Sequence, residues 1–136
     1  MAVVYEWTKD LETGHALIDT QHRQLIKAIN DLLAACAGGK GRAALDGTLD
    51  FLARYTEKHF GDEEKLQLQF KYPDYKNHKK LHDGFKAVVA DLAKQLRAEG
   101  PTVMLVGKVN ASIAGWLINH IKREDVKVAV HIRNAR

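Results

Sequence analysis

Residues 45–66 read LDGTLDFLARYTEKHFGDEEKL. Along them Leu45, Leu49, Leu52, Thr56, His59, Glu63 and Leu66 recur at alternating steps of four and three, which is the period of one helix face packed against neighbours. The pattern predicts a helix over about 42–70. Its inward face starts apolar and ends ionisable. A buried imidazole or carboxylate is costly unless it is paired or holds a cation. The seam therefore predicts a core that is polar at one end by design.

The same period extends to both sides. Upstream, Ile18, His22, Leu25, Ile29, Leu32 and Cys36 predict a helix over about 19–37, with Asp19 as its cap and the Gly38-Gly39-Lys40-Gly41 cluster as its end. Before it, residues 1–18 form an arm carrying Trp7 and Gly14. Downstream, Tyr72-Pro73-Asp74 breaks the second helix, because proline restricts the residue before it. Tyr75, His78, His82, Phe85, Val89, Leu92 and Leu96 then mark a third helix over about 75–98, closed by Gly100-Pro101. Val103, Val106, Asn110, Ile113, Leu117 and His120 mark a fourth over about 102–123, which loses regularity near Asp125. The ending from Val126 to Ile132 alternates, as a short strand or a frayed helix would, and Val128, Val130 and Ile132 stand as exposed apolar residues able to make an interface or fold back. Four helices with short connections give an all-α, up-down-up-down antiparallel four-helix bundle with an N-terminal arm, within a single domain spanning residues 1–136.

Composition narrows the class. A 136-residue chain that is 46% hydrophobic builds one ordinary core. Its charge of +4 is interspersed, except for Lys122, Arg123, Lys127, Arg133 and Arg136. That cluster reads as a solvated tail, because no basic stripe with groove-reading elements accompanies it; nucleic acid is not an expected partner. A lone cysteine, Cys36, excludes an intrachain disulfide and reads as a small apolar residue at a helix end. No apolar run approaches a membrane span and the start lacks a signal-peptide pattern, so a soluble, cytoplasmic protein is expected. Oligomeric state is not legible.

The ionisable residues carry the chemistry. A single seam histidine is ordinarily a hydrogen-bonded core residue. Here His22, His59, His78, His82 and His120 all fall on seams, with Glu63 and Asp125. In an up-down-up-down bundle, positions early on one helix lie level with positions late on the next, so all seven meet near one end. Seven ligands exceed a structural zinc site and suggest two ions, with carboxylates able to bridge. Imidazole and carboxylate suit iron, and thiolate is absent. Two octahedral irons need about twelve positions, of which five imidazoles, two bridging carboxylates and a bridging oxygen fill all but one. The only Glu-x-x-His, Glu12 to His15, lies in the arm without a partner, and His-Glu-x-x-His is absent.

With Trp7, the run Ile18-Asp19-Thr20-Gln21-His22, His59-Phe60-Gly61-Asp62-Glu63-Glu64, Tyr72-Pro73-Asp74-Tyr75, His78-Lys79-Lys80-Leu81-His82, Trp116-Leu117-Ile118-Asn119-His120-Ile121 and Asp125, the chain resembles the hemerythrins, in particular the single-domain bacteriohemerythrins. The resemblance covers nearly the whole chain. It implies that His78, His82 and His120 hold one iron and that His22 and His59 hold the other, which keeps an open position. It implies that Glu63 and Asp125 bridge them beside an oxo or hydroxo group. It implies reversible dioxygen binding, with one electron from each iron and no change in the charge of the buried site. It also implies that Leu25, Phe60, Trp116, Leu117 and Ile121 form the apolar oxygen pocket, with Leu117 as its gate. Gln67 departs from the methionine common among relatives, and Val128 from a frequent tyrosine. His15 and His131 fit no ligand slot and read as surface or supporting residues.

The resulting expectation is a dioxygen-binding protein rather than an enzyme, serving storage, transport or delivery to an oxygen-using enzyme. The alternatives are a di-iron redox enzyme handling peroxide or nitric oxide, and an oxygen sensor acting through a partner.

Overall fold

Apolar residues spaced by three and four wind into helices that bury one stripe each, and the computed structural model describes this for residues 5–37 and 42–135. The glycine run 38–41, the first four residues of the arm and Arg136 lie outside the described residues. After a short 3-10 turn at Lys9–Leu11 come α1 (Ala16–Ala37), α2 (Arg42–Gln69) and α3 (Tyr75–Glu99). A fourth helical run then alternates pitch: α4 (Val103–Lys108), a π-helical stretch Val109–Gly115, α5 (Trp116–His120), a second π stretch Ile121–Asp125, and α6 (Val126–Asn134). The junction residues Val109, Trp116, Ile121 and Val126 all keep right-handed helical angles, so the run is unbroken. Helix α1 packs on α2, α2 on α3, α3 on the fourth run, and the fourth run back on α1, closing an all-α four-helix bundle. Among the described residues there is no strand, and no helix is long and apolar enough to cross a membrane.

In the first three helices the seam residues are buried, apart from the end positions Leu66 and Tyr75, which are half-buried. The first helix starts at Ala16 rather than near Asp19. Asp19 is therefore already inside the first turn and does not cap it. Its carboxylate reaches back to the arm instead, accepting from the Thr13 N–H (2.9 Å), the Thr13 hydroxyl (2.7 Å) and the Gly14 N–H (3.2 Å).

The fourth run departs from the expected seam. Val103 is 93% exposed, and the buried row is Leu105, Val109, Ile113, Leu117, Ile121 and Asp125, each four residues on. A strict step of four drifts by about 40° per step around an α-helix of 3.6 residues per turn. The two wider π stretches absorb that drift and hold the row on the core face. The run also continues past residue 123 to Asn134. Its last turns are neither strand nor frayed: Val128, Ala129 and Ile132 form a buried helical face, and Val128 and Ile132 pack with Ile18 and Tyr72. Only Val130 of the expected apolar trio is exposed.

One helix end aims a residue at the site, and another starts the fourth run. Helix α2 closes with Lys71 at φ 57°, the Tyr72 N–H bonding to the Gln67 carbonyl (2.8 Å) and the Lys71 N–H to that of Leu68 (3.2 Å). This is the two-bond helix stop usually built on glycine. It turns Tyr72 inward, under His78, at 6.2 Å between ring centroids. Helix α3 closes on Gly100, whose φ of 80° suits the absence of a Cβ, with its N–H on the Leu96 carbonyl at 2.8 Å. Thr102 then caps the fourth run, its hydroxyl accepting from the Leu105 N–H at 3.2 Å.

The phase of the fourth run is testable by denaturation. Leu105→Ala should cost about 2–5 kcal/mol of stability, as core leucine truncations do, whereas Val103→Ala should stay within about 0.5 kcal/mol as an exposed change. A larger loss at Val103 than at Leu105 would place the run in the phase read from the sequence.

Candidate metal centre

Each helix delivers its ionisable seam residues to one level of the bundle. Helix α1 brings His22, α2 brings His59 and Glu63 one turn apart, and α3 brings His78 and His82 one turn apart. The fourth run brings His120 and Asp125, five residues apart; the π stretch between them puts both on the core face. All seven are buried. They form two groups that share both carboxylates: Glu63, His78, His82, His120 and Asp125, and His22, His59, Glu63 and Asp125, with the ligand atoms of each group within 4.8 Å of one another.

The carboxylates divide between the groups oxygen by oxygen. Glu63 Oε1 lies 2.8 Å from His78 Nε2 and 3.4 Å from His82 Nε2, while its Oε2 lies 3.5 Å from His59 Nε2 and 3.9 Å from His22 Nε2. Asp125 Oδ1 lies 3.1 Å from both His78 Nε2 and His120 Nε2, while its Oδ2 lies 2.8 Å from His22 Nε2. In the larger group His120 Nε2 stands 3.2 Å from His82 Nε2 and 3.1 Å from His78 Nε2. Ligands at right angles around one ion, each about 2.1 Å from it, stand about 3.0 Å apart. His120 has that spacing to each of the other two imidazoles.

The donor atoms also lack other partners. His22 Nε2, His59 Nε2, Glu63 Oε2 and both Asp125 oxygens are buried without a hydrogen bond. Unsatisfied buried donors and acceptors are rare and costly. Cations between the two groups satisfy them together, so the residues fit two metal ions.

Electrostatics show a site that attracts positive charge. Burial pushes the His59 imidazole down to about 4, which keeps it neutral and ready to coordinate. Burial also opposes the proton on His78, but Asp125 and Glu63 outweigh it and push that imidazole up to about 10. Asp125 is held well below the usual carboxylate range, burial being overcome by His120, His22 and His78. Glu63 is lowered too, against burial and Asp125, by His78 and His82. Two carboxylates kept ionised in a dry core are the charge pattern of a cation site.

A supporting layer orients the imidazoles. Gln21 Oε1 meets His59 Nδ1 at 2.7 Å, and Gln21 Nε2 donates to Asp62 Oδ2 at 2.8 Å. Glu64 Oε2 meets His82 Nδ1 at 2.9 Å. Such partners fix which ring nitrogen faces the metal. Gln67, fully buried, donates from Nε2 to Glu63 Oε1 at 3.4 Å. Sequence reasoning singled out none of Gln21, Glu64 or Tyr72 as supporting residues. The available signal was a polar residue directly beside a ligand, Gln21 before His22 and Glu64 after Glu63. His131 ties α6 to the end of α2, its Nε2 2.7 Å from the Phe70 carbonyl, and His15 Nδ1 accepts locally from the Ile18 N–H at 3.4 Å.

The expected pocket residues spread over the site. Phe60 stacks on His82 at 3.8 Å and Trp116 on His120 at 4.5 Å, so both rings lie against the three-histidine group. Leu25, Leu117 and Ile121 are buried in the main core. Leu117 also lines a small apolar cavity with Tyr5, Ile26, Ile29, Ala114 and Ile118, which the arm covers through Tyr5. Tyr5 is held there by paired bonds with Asn30, both 2.8 Å, and by its hydroxyl on Asn110 Oδ1 at 3.2 Å.

A four-helix bundle closing five imidazoles and two shared carboxylates around paired ion positions defines a non-haem di-metal protein. The comparisons name the class further. The family described as "Hemerythrin HHE cation binding domain" matches residues 13–130. A bacteriohemerythrin of Pseudomonas paraeruginosa is 33% identical over 95% of this chain and 82% of its own length. A myohemerythrin of Theromyzon tessulatum is 32% identical over 90% of this chain and 89% of its own. A hemerythrin crystal structure carrying a leucine-to-alanine substitution superposes with a TM-score of 0.83 at 28% identity, covering 97% of this chain and 98% of that one. The chain belongs to the hemerythrin family, and specifically to its bacteriohemerythrin members. Its cofactor is a hemerythrin-type di-iron centre.

The two groups make separable predictions. His59→Ala removes a ligand from the smaller group alone and should lower iron content from two ions per chain to one, measured by metal analysis after anaerobic loading. Lys58→Ala, on the exposed side of the same turn, should leave both in place.

Proposed function

We propose that this chain binds dioxygen reversibly at its di-iron centre, with His78, His82 and His120 on one iron, His22 and His59 on the other, and Glu63 and Asp125 bridging beside an oxo or hydroxo group. The observation that carries the reading is the division of each carboxylate, one oxygen toward each histidine group. The group with only two imidazoles is the one left with a free position. Two ferrous ions supply the two electrons that reversible dioxygen binding takes up. The protein supplies the rest. Buried imidazoles hold the ions without adding charge, Gln21 and Glu64 lock two of the rings, and the bundle core excludes water from the free position.

The apolar residues Leu25, Phe60, Trp116, Leu117 and Ile121 form the oxygen pocket in this reading, and they offer no acid or base to drive turnover. A carrier or reservoir is therefore favoured over an enzyme, in the cytoplasm, with an oxygen-using enzyme as the recipient. Leu117 is the gate in this reading, supported by its burial one turn before His120.

The reading is tested by the optical spectrum of anaerobically reduced, iron-loaded protein. A coloured charge-transfer band should appear on admitting air and vanish on its removal, over repeated cycles. Prompt irreversible conversion to the ferric form would overturn reversible binding in favour of redox chemistry. Leu117→Ala should speed autoxidation by widening access for water and anions, followed as decay of the same band. An unchanged rate would remove Leu117 from the gating role.

A further inference from the structure

One buried polar group near the centre is not explained by ligation. Gln67 is fully buried, yet its Oε1 has no hydrogen-bond partner and its Nε2 makes a single long bond, 3.4 Å, to Glu63 Oε1. An amide left half-satisfied in a core is a stability cost, and an apolar side chain of similar volume would avoid it. Its position is set firmly: it lies one turn after Glu63 on α2, and its carbonyl is tied into the helix stop by the Tyr72 N–H at 2.8 Å. The side chain is thus held with its N–H on the bridging carboxylate, on the oxygen that faces the three-histidine group.

We infer that Gln67 is a positioning residue that tunes the electron balance of the di-iron centre through Glu63; the inference rests on the di-iron reading above. A neutral N–H donor on a ligating oxygen draws charge from it, and partners of this kind adjust a metal's properties without touching it. A less negative Glu63 Oε1 compensates the more highly charged ferric state less well, so the hydrogen bond favours the ferrous state. Because the bond is long, the effect is small, on the order of tenfold in the ferrous-to-ferric ratio, which is about 59 mV for a one-electron step.

The test compares Gln67→Met and Gln67→Leu with the unaltered protein. Both variants remove the donor; the second also removes any chance of a thioether reaching iron. Midpoint potentials are measured by mediated titration on protein shown by metal analysis to hold two irons, and the urea midpoint is measured on the iron-free chains. The expected result is a tenfold shift toward the ferric state in both variants, with iron-free stability unchanged or increased. Unmoved potentials with both irons bound would overturn the tuning role. Loss of iron-free stability with unmoved potentials would show the amide to be purely structural. If the unaltered chain takes up no iron, the di-iron reading falls and this assignment with it.

Discussion

Everything in this structure answers to two carboxylates shared between two sets of imidazoles in a buried core. Glu63 and Asp125 are ionised where a charge is most expensive. Neither belongs to one histidine group; each offers an oxygen to both. That sharing requires all four helical runs to deliver their ligands at one level. The bundle's register and the placement of its polar end are therefore consequences of the site as much as causes of it. Leucine, isoleucine and valine fill the seam positions away from that level, and there the bundle is an ordinary hydrophobic core.

The layer behind the ligands shows how the protein favours geometry over stability. Gln21 and Glu64 each occupy the second nitrogen of an imidazole, so the rings cannot flip away from the centre. Phe60 and Trp116 stack on His82 and His120 and fill the space that freer rings would use. Lys71 adopts a left-handed conformation that a glycine would adopt at less cost, and the resulting turn lodges Tyr72 below His78. Several of these features are mildly unfavourable taken singly; together they hold seven side chains in one arrangement.

Much of this was legible in the sequence, for a definite reason. The first three helices keep the three-four alternation of an α-helix, so their inward faces, and the ligands on them, could be read directly from residue spacing. The fourth run could not be phased that way, because its two π stretches change the number of residues per turn. Val103 was thus placed inward where Leu105 is. The end of the chain misled for a related reason: alternate valines at 126, 128 and 130 imitate a strand, while the buried set Val128, Ala129 and Ile132 is helical. Gln21 and Glu64 escaped because they lie off the seams, and what they touch depends on neighbours far away in the chain.

The π stretch between His120 and Asp125 also fixes something other than shape. On a regular α-helix two residues five apart point about 140° away from each other; here both face the centre. The length of the segment from Ile121 to Glu124 is therefore part of the site's geometry, as the buried Ile121 is part of its core. Deleting one residue there would leave the two ligands four apart on a regular α-helix, about 40° from each other and still on one face, whereas inserting one would set them six apart, about 120° from each other, and turn the carboxylate and the buried face of α6 away from the centre and from Ile18 and Tyr72. Insertions, tolerated in most of a protein's connecting segments, are excluded from this one turn by the need to keep one carboxylate in place.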